Sequence, residues 1–319
     1  MTPLLAVNLL ALSAIGAWSI RYAWPPTETV RLRNAMLAQP AGLGDFHWTP
    51  ETVPSGFCLE HRAPSQDFIA IAAGLDLEGL NDWQKAVRIA GHLAENAQDR
   101  GQLQDDPVAS YHGIREGYGY CADFAKVFLA LAHTVGLFAR QWAFSFDGFG
   151  GHGHTVVEIF DRGRDEWLFL DPHNNFHVVD ASDGEPLSAL EFRDSLLGHR
   201  GPVRMVPNGP GRLGYMHEQK AFEYFRRGAA EWYLWWGNAV FSYYAHPLVR
   251  AAGRVSRTLA HLVAILVGVQ PHIRIYPAEE CRDAAQRLFA LQRSLKVGAV
   301  GGLLLVLSLV AQLRLGAQA

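Results

Sequence analysis

Three residues of this 319-residue chain have the side chains that share nucleophilic catalysis, and they occur in the order Cys121, His154, Asp171. Cys121 follows GYGY and opens an apolar run, CADFAKVFLALAHTV, that reads as a buried helix stopped by Gly136. A cysteine at a helix N-terminus meets the positive end of the macrodipole, which favours thiolate over thiol. Gly117 and Gly119 let the backbone approach a substrate closely, and the Cys121 amide can donate to an oxyanion. His154 ends a glycine-rich loop, GFGGHGH, and starts the strand-like TVVEIF, so its imidazole belongs at the rim of a sheet. Asp171 closes the next strand-like run in WLFLDPHNN, with Pro172 interrupting the ladder. Neighbouring strands bring His154 to Asp171, and a helix packed across them brings the thiol to the imidazole, which supplies nucleophile, base and orienter. Tyr118, Tyr120, Trp142 and His152 are candidates for the oxyanion or the substrate pocket, although Tyr118 and Trp142 read more simply as core aromatics. His152 is also a rival base, but the matching strand follows His154.

The elements that must hold these residues follow from periodicity. Residues 81–97 carry Trp83, Ala86, Val87, Ala90, Leu93 and Ala94 at helical spacing behind a polar start. Residues 138–146, 155–160, 166–170 and 176–179 cluster β-branched and aromatic residues between Gly, Asp and Pro breaks. An α+β core follows, one helix and then an antiparallel sheet. Residues 30–64 read as an irregular connector packed on the domain. The stretch 228–253, rich in Trp and Tyr, and the short apolar run 258–269 read as a helical region, either docked at a membrane surface or buried.

Taken together, GYGYCADFAKVFLALAHTVGLFAR, GHTVVEIF and EWLFLDPHNN, with 33 residues from Cys121 to His154 and 17 on to Asp171, resemble the transglutaminase-like superfamily of papain-like cysteine enzymes over about residues 110–180. The resemblance implies a papain/transglutaminase-like core with a central helix against an antiparallel sheet. It also implies thiol acyl transfer or hydrolysis on a peptide or protein amide, with no cofactor and no metal. Glu158 fits the family pattern. Val156 departs from it, where an aromatic residue is usual, and so does His173, where Thr or Ser follows the Asp-Pro pair. Two rival readings exist. His152, His154, Asp171, His173 and His177 are a set suited to zinc or iron, but that reading explains fewer residues than the triad. The other rival is a catalytically silent scaffold or peptide-binding module with a partner in a membrane complex.

Residues 3–20 and 297–313 are uncharged apolar runs that read as a transmembrane helix at each end, meeting membrane lipid. The expected organisation is therefore anchor 3–20, domain 30–227 with its core at 80–200, aromatic-rich helical region 228–296, and anchor 297–313. Arg21, Arg31, Arg33, Arg282, Arg287, Arg293 and Lys296 flank the spans inwardly against Arg314 outside, which puts the central domain in the cytoplasm. With 28 basic and 31 acidic residues the chain carries a net charge of −3, and nothing in it favours nucleic acid. Its three cysteines, far apart and odd in number, form no disulfide framework.

Overall fold

The computed structural model describes residues 6–8, 10–14, 16–17, 26–103 and 106–316. The labelled elements are α1 (Pro26–Leu37), β1 (Ala38–Gln39), α2 (Gln66–Ala73), α3 (Asp82–Ala94), α4 (Pro107–Arg115), α5 (Cys121–Thr134), β2 (Ala139–Ser145), β3 (Gly153–Asp161), β4 (Glu166–Leu170) and β5 (Phe176–Asp180). They continue with α6 (Ala189–Leu196), β6 (Val203–Pro207), α7 (Glu218–Gly228), β7 (Glu231–Trp235), α8 (Val240–Ala245), α9 (Pro247–Gly253), α10 (Arg257–Leu266), β8 (Ile273–Ile275) and α11 (Arg282–Gly316).

The molecule is a mixed α/β fold organised on a six-stranded sheet of order β1-β8-β7-β2-β3-β4, antiparallel except at the β1–β8 edge. Strand alternation sends Val157, Ile159, Leu168 and Leu170 to one face, where they meet Phe128, Leu131 and Ala125 of α5. It sends Trp142, Phe144, Val156 and Phe169 to the other, against Phe192, Phe225, Trp232 and Trp236. Each fully buried side chain of this size contributes roughly 1.5–3 kcal/mol, so the two cores clamp β3 from both sides. Because α5 is apolar on nearly every face, α2, α3 and α4 can pack around it and bury it. Gly136, at φ +75, ends it in the left-handed conformation that a helix stop requires.

Two expectations are corrected. The segment 228–296 is not simply helical, because Glu231–Trp235 is the strand between β2 and β8, and Ile273–Ile275 adds another. A central strand covered on both faces has a continuous apolar sequence, which is why EWYLW resembles an interfacial aromatic cluster. Trp232 and Trp236 are core residues and do not reach a membrane surface. The fourth expected strand, β5, leaves the main sheet and pairs with β6 instead, after a bridge between Asp171 and Phe176.

Among the described residues one helix, within Glu279–Gln312, is long and apolar enough to cross a membrane, with a mean hydropathy of 2.0 and none of its apolar window buried. Among the described residues, the expectation of one at each end is met at the C-terminal end alone. Of the run 3–20, residues 6–8, 10–14 and 16–17 are helical, and the others lie outside the described residues. Asn8 in that helix is buried and donates from Nδ2 to Ser308 Oγ of α11 at 3.1 Å.

Candidate active site

Cys121 is the first residue of α5, and the residue is half-buried. Gly117 (φ +92) and Gly119 (φ +100) bring the chain to that point in a left-handed turn, and a Cβ on Gly119 would meet Ile114, Leu103 and Phe124 at 3.2–3.3 Å. The buried Asp123 carboxylate then accepts the Tyr120 amide at 3.1 Å and the Leu103 amide at 3.2 Å, fixing the first turn.

His154 lies on β3 opposite Phe144 of β2. On the other side Val157 faces Leu170 of β4, and extending that register puts Asp171 opposite Val156, on the same face as His154. The register thus joins the two side chains, with His154 Nε2 2.7 Å from Asp171 Oδ2 and both residues buried. The chain turns sharply after Asp171, so its Oδ1 also accepts the amides of His173 (3.1 Å) and Asn174 (3.0 Å). Asn174 Nδ2 donates to Oδ2 at 2.7 Å and completes the shell. The same Nδ2 lies 3.1 Å from His154 Nε2, but a nitrogen that gives its proton to Asp171 has none of its acceptor capacity left.

With Nε2 committed to Asp171, Nδ1 is the nitrogen left for the thiol, and the two side chains are hydrogen-bonded. Burial pushes the Cys121 thiol up, but the charge and hydrogen bond of His154, the charge of His173 and the Thr155 amide outweigh it and hold the thiol below its ordinary value. Burial pulls His154 down, and the Asp171 carboxylate and the Cys121 thiolate more than offset this, raising it to about 10. Asp171 is likewise held below its usual range despite burial, by His154 first. A thiolate–imidazolium pair is the arrangement these shifts favour.

The remaining candidates separate. Tyr118 and Tyr120 are exposed on the approach to Cys121. Trp142 is not a pocket residue. It is fully buried, and its Nε1 donates to Glu158, which also accepts Arg140 Nε at 2.7 Å and the Ala189 amide at 2.6 Å. His152 points to solvent and pairs with Asp147 at 3.0 Å. Asp147 organises the glycine-rich loop by also accepting Ser145 Oγ and the Gly150 amide. His177 is buried, with Nδ1 on Asn208 Oδ1 at 2.9 Å, and among the described residues no three His, Cys, Asp or Glu side chains form a metal-holding group.

Several neighbours carry no sequence signal, because they come from distant segments. His173 Nε2 meets Asp99 Oδ1 at 2.8 Å, and Arg212 Nη2 holds the other oxygen of Asp99 at 2.9 Å. His173 Nδ1 is buried without a protein partner among the described residues, and its ring packs 5.0 Å from Phe124 and 5.9 Å from His154. Tyr224 donates to Gly153 O at 2.9 Å, and its ring and that of Tyr215 lie 5.8 Å apart. Both phenols are pushed up, by burial first and then by the negative charges of Asp171 and Cys121, so they stay protonated donors.

Residues 69–172 match the family model of the transglutaminase-like superfamily. The match contains Cys121, His154 and Asp171, and runs from α2 through α5 and the β2–β4 half of the sheet. No curated protein and no solved structure matches the chain significantly. Strands β7 and β8 and the long helix α11 lie outside the matched segment and extend the transglutaminase-like core.

Proposed function

We propose that the protein is a membrane-anchored transglutaminase-like cysteine enzyme that acts on amide or peptide bonds through Cys121, His154 and Asp171. The observation that carries this reading is the buried 2.7 Å contact of His154 Nε2 with Asp171, which leaves Nδ1 for a thiol held at a helix N-terminus. His154 takes the Cys121 proton, and the thiolate attacks the carbonyl carbon to form a tetrahedral intermediate. The intermediate collapses with loss of the amine, which receives the proton from Nδ1, and leaves a thioester. Water then gives hydrolysis and an amine gives transfer, with His154 again removing the proton of the incoming group. Asp171 stabilises the imidazolium and fixes the tautomer throughout.

The experiment is labelling of detergent-solubilised protein with an iodoacetamide probe near neutral pH, followed by screening of peptide amides. Fast labelling that disappears in Cys121→Ala and slows in His154→Ala supports the enzyme. The superfamily also includes inactive members, and a Cys121 that labels like an ordinary thiol points to a silent scaffold or peptide-binding module instead.

The same proposal has two anchors, 297–313 and 3–20, with the central domain on the cytoplasmic side by the positive-inside count. The exposed Val297, Val300, Leu303, Leu304 and Leu307 support the first, and the Asn8–Ser308 hydrogen bond supports the second. A reporter fused to the C-terminus reads the side of the tail and hence of the domain.

A further inference from the structure

Globular helices keep polar residues on the face turned to solvent, and α10 is apolar there as well as on the face turned to the core. Val255, just before it, and Leu259, Leu262 and Leu266 along it follow one another at spacings of four, three and four residues, and all four are exposed, Val255 at 79% and Leu266 at 82%. Ala264, on the opposite side, is fully buried. Leu248 of α9 adds a fifth exposed apolar side chain, and Arg250 and Arg254 are exposed beside it. Tyr243 Oη, 3.2 Å from His261 Nδ1, ties α8 to α10 and limits the freedom of the pair α9–α10 to turn its apolar side inward.

The position of this stripe decides what covers it. Ile265 packs against the same apolar cluster as Leu291 and Leu295 of α11, and the uncharged run of α11 begins two residues after Leu295. The helix that carries the exposed stripe and the foot of the proposed span therefore rest on one apolar cluster, with the stripe on the outer side of α10. We infer that α9 and α10 lie in the surface of the bilayer that α11 enters, with Val255, Leu259, Leu262 and Leu266 among the acyl chains and Arg250 and Arg254 at anionic headgroups. This rests on the anchor reading above and adds a lateral contact beside the spans, which fixes the tilt of the domain over the membrane. Spans packed side by side would leave the domain free to rock about them. Spans and a lateral foot hold it in one orientation, so Cys121 keeps a constant attitude to the bilayer.

The test uses the full chain reconstituted in vesicles of phosphatidylcholine and phosphatidylglycerol, with a genetically encoded environment-sensitive fluorescent residue placed at position 266, 304 or 216 in turn. Position 304 reports the span, and position 216, where Met216 is exposed far along the chain from both, reports water. The expected result is quenching of 266 and 304 by a nitroxide carried on the lipid acyl chain, and quenching of 216 by aqueous iodide alone. Leu259→Glu with Leu262→Glu, both at exposed positions that leave the core intact, should transfer the 266 probe to iodide and leave 304 unchanged. If 304 meets lipid while 266 meets only iodide, the anchor stands and this inference is wrong. If 266 is shielded from both quenchers, a protein covers the stripe and the lipid assignment is overturned. If 304 itself fails to meet lipid, the anchor reading fails and takes this inference with it.

Discussion

Asp171 accepts the Nε2 proton of His154 at 2.7 Å, and this one contact decides which ring nitrogen faces Cys121. Asp171→Asn keeps the size of the side chain and most of its donors but removes the charge that raises His154. The imidazolium then loses its partner and the thiol rises. Alkylation of Cys121 at neutral pH should slow by at least about tenfold, and amide turnover should fall by roughly 10²–10⁴-fold. A variant that labels at the wild-type rate would remove Asp171 from the mechanism.

The pH profiles should differ by assay. Thiolate is present above the depressed Cys121 value, so iodoacetamide labelling should rise on the acid side of the ordinary thiol range and then stay high. Amide turnover also needs the His154 proton, so its profile should fall again as pH passes about 10. Stability follows the same groups. The raised His154 contributes below its ordinary 6.5 and loses that contribution as pH climbs through about 10. The lowered Asp171 contributes above 3.8 and loses it as pH falls through its depressed value. Melting curves of wild type against His154→Ala should converge above pH 10 or so.

Much of this geometry was legible in the sequence, and the reasons it was legible also explain what was not. Cys121, His154 and Asp171 could be named because each sits at a local boundary: a helix start, the end of a glycine loop, a strand end before proline. The register of β3 on β4 then does the rest, since these strands are consecutive in the chain. Asp99 and Arg212 reach His173 from loops more than 30 residues away on either side, and nothing local marks them. Trp142 and Glu158 share a face across the β2–β3 pair, so a tryptophan that could have lined a pocket is drawn to a buried carboxylate. The strand β7 pairs with β2 from some 90 residues downstream, and its aromatic run was indistinguishable from a membrane-facing one until that pairing was known.

The pair Asp99–His173 should tune the thiol and not create it. His173 is one of several groups whose charge lowers Cys121, and the 2.8 Å contact with Asp99 holds its ring in place. Asp99→Asn loosens that ring and should therefore slow Cys121 labelling by on the order of threefold, with the acid limb of its pH profile moved upward. His173→Phe, which keeps the packing on Phe124, should produce a shift in the same direction. A loss as large as that in His154→Ala would instead make His173 the base.

Glu158 should matter for stability and not for chemistry. It is the buried partner of Arg140, whose guanidinium also lies 3.8 Å over the Trp167 ring, and it accepts Trp142 and the Ala189 amide on the face of the sheet away from α5. Glu158→Gln keeps an acceptor for the neutral donors but leaves the arginine charge buried and unpaired. Urea unfolding should show a loss of about 3–5 kcal/mol, while the rate of Cys121 labelling in the folded fraction stays within about twofold of wild type.

The last prediction concerns the two ends of the chain. Asn8 Nδ2 lies 3.1 Å from Ser308 Oγ, and Gln312 Nε2 donates to the same oxygen at 3.1 Å, so three polar groups meet on otherwise apolar helices. In hydrocarbon such groups have no water to turn to, and pairing across helices is worth about 0.6–2 kcal/mol per contact. The contact requires the N-terminal segment to stay attached and Asn8 to lie beside α11. If so, Asn8→Cys combined with Ser308→Cys should form an intramolecular disulfide in isolated membranes under mild oxidation, joining the two fragments produced by a protease site engineered into the exposed loop near Met216. Fragments that separate without reductant would mean that the N-terminal helix has been cleaved off or packs elsewhere. The protein would then hold the membrane through α11 alone, and the tail and the domain would still lie on opposite sides of it.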